Sequence, residues 1–294
     1  MVSELPLLDV FFGELTVHRA SVYARLPRPI NDEGVKIAGE VRGPRCRLAQ
    51  TLPVSVSLVD LGQGPTLLAR AVVPDPNFWS PDNPAIYDVT VNLLHHGKTL
   101  ATSRRSIGFR PLGARKQQFR SEAKNWVLRG VGAGSTTATM PAEWQSTASA
   151  YIADYHVDRF VEASELGVPA IADLNPQQDI PLQLRQLALH PAAAMAIVRV
   201  PPGTNFKLTG IAPNLLLAQA VLPRVPFAPQ AWAHAIWAES ADPAVLSNLQ
   251  ANFKLPIVAI RKLAAPLAIG DARAACDDLQ RDLASVGQFA GYVV

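Results

Sequence analysis

The chain of 294 residues has only two cysteines, Cys46 and Cys276. Far apart in sequence, they offer neither a disulfide framework nor the paired spacing of a zinc site, so they imply no metal and no redox compartment. Charge is also scarce: charged residues are 17% of the chain, the formal net charge is +3 and the pI is near 9.0. No run of five or six like charges occurs, which leaves a nucleic-acid partner little footing. No apolar run reaches the roughly 18 residues a membrane span needs. Met1 to Leu8 carries Glu4 and lacks the basic start of a secretory signal. A cytoplasmic protein is the default expectation, although a secreted chain truncated at its start would read the same. Nucleotide-binding and serine-hydrolase signatures are missing as well. Gly130-Val131-Gly132-Ala133-Gly134 only superficially suggests a phosphate loop, because no strand-helix-strand unit with a distal acid accompanies it. No cofactor is expected.

What the sequence does have is apolar residues, 49% of the total, enough for one large or two ordinary domains. The first hundred residues read as short strands separated by turn signals. They comprise an apolar stretch over Leu7 to Val17, a short strand over Val35 to Val41, a turn over Glu40 to Arg47 around Gly43-Pro44, an alternating strand at Val54, Val56 and Leu58 stopped by Gly62-Gln63-Gly64-Pro65, and a further strand from Thr66 to Val73. Next comes Phe78-Trp79-Ser80-Pro81-Asp82-Asn83-Pro84, a proline-braced turn. It feeds a strand in which Ile86, Asp88 and Thr90 alternate with Tyr87, Val89 and Val91, and Gly97 allows a turn into a second strand ending at Phe109. This spacing, with no helical period, argues an immunoglobulin-like β-sandwich over residues 1–112. Trp79 reads as a packing residue at its edge.

Pro111 to Ser121 is polar and basic, and reads as a linker or as the first strand of a second domain. Beyond it, short apolar segments alternate with helical ones, the signature of β/α units around a parallel sheet. Eight strands are expected, at Trp126 to Val131, Ala150 to Tyr155, Val168 to Leu174, Ala194 to Val200, Leu215 to Val221, Trp232 to Ala238, Pro256 to Ile260 and Phe289 to Val294. Helices are expected at Val157 to Leu166, Pro181 to Leu189, Pro243 to Asn252 and Asp271 to Val286. The fold class is therefore multidomain, a β-sandwich followed by a TIM-type (β/α)8 barrel over residues 113–294. That span is shorter than the roughly 200 residues at the low end of the fold, and prolines at 201, 202, 213, 223, 226 and 229 leave little room for regular helix. The barrel is expected to be reduced.

The wording around the hairpin resembles a family. Trp-Ser-Pro-Asp-Asn-Pro, the Ile-Tyr strand and the terminal Gly108-Phe109-Arg110 are similar to the immunoglobulin-like domain of family-2 glycoside hydrolases, relatives of β-galactosidase, β-glucuronidase and β-mannosidase. Trp126-Val127-Leu128-Arg129-Gly130-Val131 resembles the family's first barrel strand. Val161 to Val168 resembles the helix end leading into its third, Leu189-His190-Pro191 the approach to its fourth, and Leu255 to Ile260 the strand ending in its nucleophile. No counterpart of the family's amino-terminal jelly roll is expected within these residues. The resemblance implies carbohydrate metabolism and hydrolysis of O-glycosyl bonds by two glutamates about 5 to 5.5 Å apart. Ungapped matching places those glutamates at Pro201 and Arg261, neither of which can supply a carboxyl group. The polar pair expected after Arg-Gly-Val is replaced by Gly132-Ala133-Gly134-Ser135-Thr136.

Substitute carboxylates at strand ends are Asp173 and Glu239, with Asp154 a third; the alternative is that they are helix caps or turn residues. Trp232, His234 and Trp237 could form a sugar platform. In a strand, however, Trp237 would face away from the other two, which favours core packing. His95 and His96 are adjacent at a hairpin tip and so point apart, unlike a metal clamp. Two readings stay open, a noncatalytic binding or assembly relative and a weak or altered hydrolase using Asp173 and Glu239. A carbohydrate is the ligand class implied; the sequence decides nothing about a protein partner or homo-oligomer.

Overall fold

The computed structural model describes residues 8–27, 34–62, 64–122, 124–132, 144, 150–154, 156–221, 226–263 and 267–294. Two compact units result, Met1–Arg110 with Leu189–Pro191, and Pro111–Ala188 with Ala192–Val294.

The first unit holds β1 (Asp9–Leu15), β2 (Arg19–Pro27), β3 (Val35–Arg45), β4 (Val54–Asp60), β5 (Thr66–Pro74), β6 (Ile86–His95) and β7 (Lys98–Ile107). They pair in the order β1-β2-β5-β4-β3-β6-β7. Strand β4 is shared: Val54 to Leu58 lie beside β3, while Val59 and Asp60 lie beside β5. The ribbon thus folds into two layers. Residues of period two, Ala20, Val22, Ala24 and Leu26 on β2 and Leu67, Ala69, Ala71 and Val73 on β5, face Ile37, Val41, Tyr87, Val89 and Val91 across one core. This is a β-sandwich.

The proline-braced stretch forms as its residues dictate. Ser80 and Asn83 exchange backbone hydrogen bonds of 3.0 and 3.1 Å. The Asn83 carboxamide donates to Asn77 Oδ1 at 2.6 Å, and Asn77 N donates to the Tyr87 hydroxyl at 2.8 Å. Trp79 is buried beneath the Arg110 guanidinium, whose carbon lies 4.9 Å from the ring centroid. The hairpin closes with His96 and Gly97 both at positive φ, 48° and 79°, the two-residue turn whose twist suits antiparallel strands.

Two expectations are corrected here. The turn expected over Glu40 to Arg47 is strand: β3 continues to Arg45, with Gly43 opposite Val54 and Arg45 opposite Ile86. The ladder absorbs Pro44 at an irregularity between Arg42 and Arg45, one of the few places a proline fits inside a sheet. Strand β2 gave no expected element because its inward side is half alanine, which weakens the hydrophobic alternation.

The second unit opens with a three-stranded antiparallel sheet of β8 (Leu112–Arg115), β9 (Gln118–Ser121) and β10 (Lys124–Trp126). Eight parallel strands come next, β11 (Leu128–Gly132), β12 (Ala150–Asp154), β13 (Ala170–Asp173), β14 (Ala193–Val198), β15 (Leu216–Ala220), β16 (Ala235–Ala238), β17 (Ile257–Ile260) and β18 (Gly291–Val293). They close into a barrel, β18 pairing with both β17 and β11. Among the described residues, helices in the crossovers include α1 (Val157–Leu166), α2 (Ile180–Leu187), α3 (Pro243–Asn252) and α4 (Ala272–Asp282). Asp179 caps α2 through Leu182 N, Asp242 caps α3 through Ala244 N, and Gly167 ends α1 in the left-handed region. Among the described residues the crossovers from β14 to β15 and from β15 to β16 carry no helix, as the prolines there require.

Three strand limits are corrected. Trp126 belongs to β10, Trp232 and His234 lie in the turn before β16, and the fourth strand stops at Val198, short of Val200. The barrel interior is apolar, built from Leu128, Ile171, Met195, Ile197, Leu216, Ala218, Ala235, Trp237, Val258 and Ile260. Phe119 of the three-stranded sheet completes that cluster, with Leu112 and Trp126 packed beside it. Because Trp126 stands two residues before β11 begins, this sheet closes the amino end of the barrel and leaves the carboxyl end for other work.

Candidate functional site

Side chains along a strand point alternately in and out. Ile171, Ile197, Trp237 and Ile260 all point into the barrel, so the next inward position of each strand is Asp173, Arg199, Glu239 and Lys262. These four meet at the carboxyl end. Arg199 Nη1 donates to Asp173 Oδ1, and Arg199 Nη2 donates to Glu239 Oε1 at 2.6 Å. Lys262 Nζ stands 3.1 Å from Glu239 Oε2. One guanidinium therefore spans two carboxylates, and both oxygens of Glu239 face a cation.

The network has two formal charges of each sign. Asp173, Arg199 and Glu239 are each about a quarter to a third exposed, whereas the Lys262 side chain is 75% exposed. Burial alone pushes the Glu239 carboxyl up, but Lys262 and Arg199 together outweigh it and hold the group below its usual range. Such a carboxylate is a weak base and a poor proton donor, since general acids in this chemistry have raised pKa values. The Arg199 fork and the two acids form an ion-pair bridge rather than a poised proton-transfer pair.

The sequence candidates separate clearly. Asp173 and Glu239 are brought together, and neither caps a helix, because Asp179 and Asp242 take those roles. Asp154 ends β12 with its backbone in register beside Asp173. Pro201 lies in the loop two residues beyond Arg199 and lines a cavity of about 480 Å3. Arg261 turns away from the interior, its backbone N–H donating to Val293 O at 2.9 Å and its Nη2 to Asp282 at 2.7 Å.

The aromatic trio does not assemble into a platform. Trp237 faces the barrel core, and Trp232 Nε1 donates to Gln230 Oε1 at 2.8 Å. His234 Nδ1 accepts from Leu217 N at 3.1 Å, and burial holds that imidazole below its usual pKa. His190 is more strongly affected, pushed down to about 4 by burial, so it is neutral at pH 7. Among the described residues no group of three or more His, Cys, Asp or Glu side chains could hold a metal. The segment from Ala133 to Thr136 lies outside the described residues.

Sequence reasoning missed Arg199 and Lys262. Every residue of β14 and β17 is buried, as is usual for parallel strands covered on both faces, so hydrophobicity does not show which side is inward. A signal was nonetheless present: Arg199 is the first charged residue after β14.

Residues 29–110 match the sequence model of glycosyl hydrolases family 2. The resemblance is to that family. Solved structures agree in fold with the whole chain. An FMN-binding β-glucuronidase from Facaelibacterium prausnitzii L2-6 superposes with a TM-score of 0.64 at 12% identity, covering 98% of this chain and 55% of its own. A family-2 member from Bacteroides cellulosilyticus gives 0.64 at 15% identity, covering 99% and 43%. The β-glucuronidase of Bifidobacterium dentium, solved with coumarin-3-O-glucuronide, gives 0.61 at 11% identity, covering 99% and 60%. The chain spans about half the length of these solved structures. No curated protein matches it in sequence. None of the helices among the described residues is long and apolar enough to cross a membrane.

Proposed function

We propose that this protein is a family-2-like relative, an immunoglobulin-like sandwich over residues 1–112 followed by a reduced (β/α)8 barrel over 113–294, in which glycoside hydrolysis has been lost and carbohydrate binding or an assembly role remains. One observation carries this reading: Arg199 sits between Asp173 and Glu239 at the barrel mouth. A retaining glycosidase needs one carboxyl group that keeps a proton and a second that attacks carbon. Here both candidate acids are engaged by the same cation, and Glu239 is held ionised by Lys262 and Arg199. The positions matched to the family's glutamates, Pro201 and Arg261, add no carboxyl group.

A second reading has its own support, since Asp173 and Glu239 do share the carboxyl end of the barrel, where active groups of this fold lie. It is a weak or altered β-glycosidase that uses these two acids. The two readings divide on an assay of the purified protein against aryl β-glucosides, β-galactosides, β-mannosides and β-glucuronides, with Glu239→Gln run beside it. No turnover above the Glu239→Gln background is expected. Turnover abolished by Glu239→Gln would establish the hydrolase instead.

A further inference from the structure

His95 ends β6, and His96 opens the two-residue turn that leads into β7. In a regular strand adjacent side chains lie on opposite faces, and these two imidazoles would point apart. The turn overrules that expectation. His96 has a φ of 48°, a left-handed conformation that histidine adopts more readily than most residues, and the two rings come together. Their centroids lie 4.3 Å apart with the planes inclined by 54°. His95 is half-buried and His96 exposed, so water reaches the pair at the tip of the sandwich hairpin.

The separation carries chemical information. An imidazole nitrogen lies about 1.1 Å from its ring centre and about 2.0 to 2.1 Å from a bound metal ion, so two rings sharing one ion have centres roughly 4.4 Å apart at a right angle and roughly 5.1 Å apart at the tetrahedral angle. The spacing of 4.3 Å fits the right angle. Neighbouring ligands at right angles belong to the square-planar or tetragonal coordination of copper(II) and nickel(II), whereas zinc takes tetrahedral sites.

Gly34 leaves room for an ion. It stands just before β3, and its carbonyl accepts from His96 N at 3.2 Å. A Cβ at this position would lie 2.7 Å from His96 Cε1, 2.8 Å from Nε2 and 3.1 Å from Nδ1. The nitrogen-bearing edge of the ring is therefore turned towards space that any other residue would fill. Lys98, opposite His95 in the ladder, adds a positive charge at the same turn and works against a bound cation.

We propose that His95 and His96 form a two-histidine site for a copper(II) or nickel(II) ion, each imidazole giving one nitrogen at a right angle to the other and water completing the coordination. All of its residues belong to the sandwich unit, and the site shares none with the barrel mouth. It stands independently of whether the barrel binds a carbohydrate.

The test is calorimetry of the full chain with CuCl2, NiCl2 and ZnCl2 at about pH 7.5 in a buffer that does not chelate, joined to amide NMR at substoichiometric copper. Copper should bind most tightly, nickel next and zinc least, and paramagnetic broadening should centre on Leu94 to Lys98 and Gly34 to Lys36. His95→Ala and His96→Asn should each weaken copper binding tenfold or more. Asparagine tolerates the left-handed backbone at 96, so His96→Asn keeps the test valid if circular dichroism shows His95→Ala to be misfolded. Gly34→Ala, which retains both histidines, should also weaken binding, and Lys98→Gln should strengthen it. Broadening centred on another histidine, copper affinity unchanged in His95→Ala or His96→Asn, or zinc bound as tightly as nickel would overturn the site.

Discussion

The two ends of the barrel are made of different materials. At the amino end Phe119 is fully buried with Leu128 and its neighbours, and a three-stranded sheet covers them. At the carboxyl end the same inward columns stop in Asp173, Arg199, Glu239 and Lys262. Apolar contact stabilises the first end without dependence on pH, whereas the second end is held by charges that water can still reach. The stability of this fold should therefore reside in the floor and its chemical identity in the mouth, so substitutions at the two ends should read out differently.

The largest effect belongs to the floor. Phe119→Ala should cost about 3 to 5 kcal/mol, as removal of a buried aromatic generally does, measured by urea unfolding. A loss below about 1 kcal/mol would mean that the sheet does not close the barrel. At the mouth, Arg199→Met should cost only about 1 kcal/mol, since the bridge is partly exposed, yet it should change the chemistry more. With the guanidinium gone, Lys262 alone opposes the effect of burial on Glu239, and the Glu239 pKa should rise, visible by NMR titration. An unmoved Glu239 would show that Arg199 does not govern it.

A smaller effect comes from pH. The folded Glu239 pKa lies below its ordinary value of 4.5, so at pH values between the two the unfolded chain binds more protons than the folded one. The stabilisation is complete above about pH 4.5 and is lost as pH falls through the lower, folded value. Unfolding measured from pH 6 down to pH 3 should show less acid sensitivity in Glu239→Gln than in the parent, by on the order of 1 kcal/mol or less. Equal slopes would break the assignment. The smallest effect is expected at Arg261→Ala, whose partner Asp282 is largely exposed, with a change within about 0.5 kcal/mol. A larger loss would place Arg261 among the charges that matter.

The helices α1 to α4 and the approximate places of the barrel strands were legible because several are short and bounded by glycine, proline or a capping acid. Asp242-Pro243 before α3 is one such boundary. The sandwich hairpin was legible for a stronger reason, a turn and an alternating strand whose residues admit few other conformations. Pro44 misled, since a proline that ends most strands is accommodated at a ladder irregularity in β3. The two acids at the mouth were legible as strand-end carboxylates. Arg199 was not, because matching to the family by counting from His190-Pro191 fixes attention on Pro201, while only the packing of Met195 and Ile197 into the barrel shows which parity points inward. The cavity beside Pro201 was foreshadowed by the prolines but not located, since its walls include loops brought together through Gln230.

The seam between β18 and β11 has a consequence for how the molecule is made. Leu128 on the first barrel strand lies opposite Gly291 on the last, so the ring stays open until Gly291 has left the ribosome. Until then the growing sheet has two bare edges whose amides and carbonyls are available to any passing strand. Closure over so long a chain separation is slow compared with local folding. A synthesis pause within α4, before Gly291 is added, would leave an incomplete barrel exposed to aggregation, and chaperone demand should be greatest at that moment.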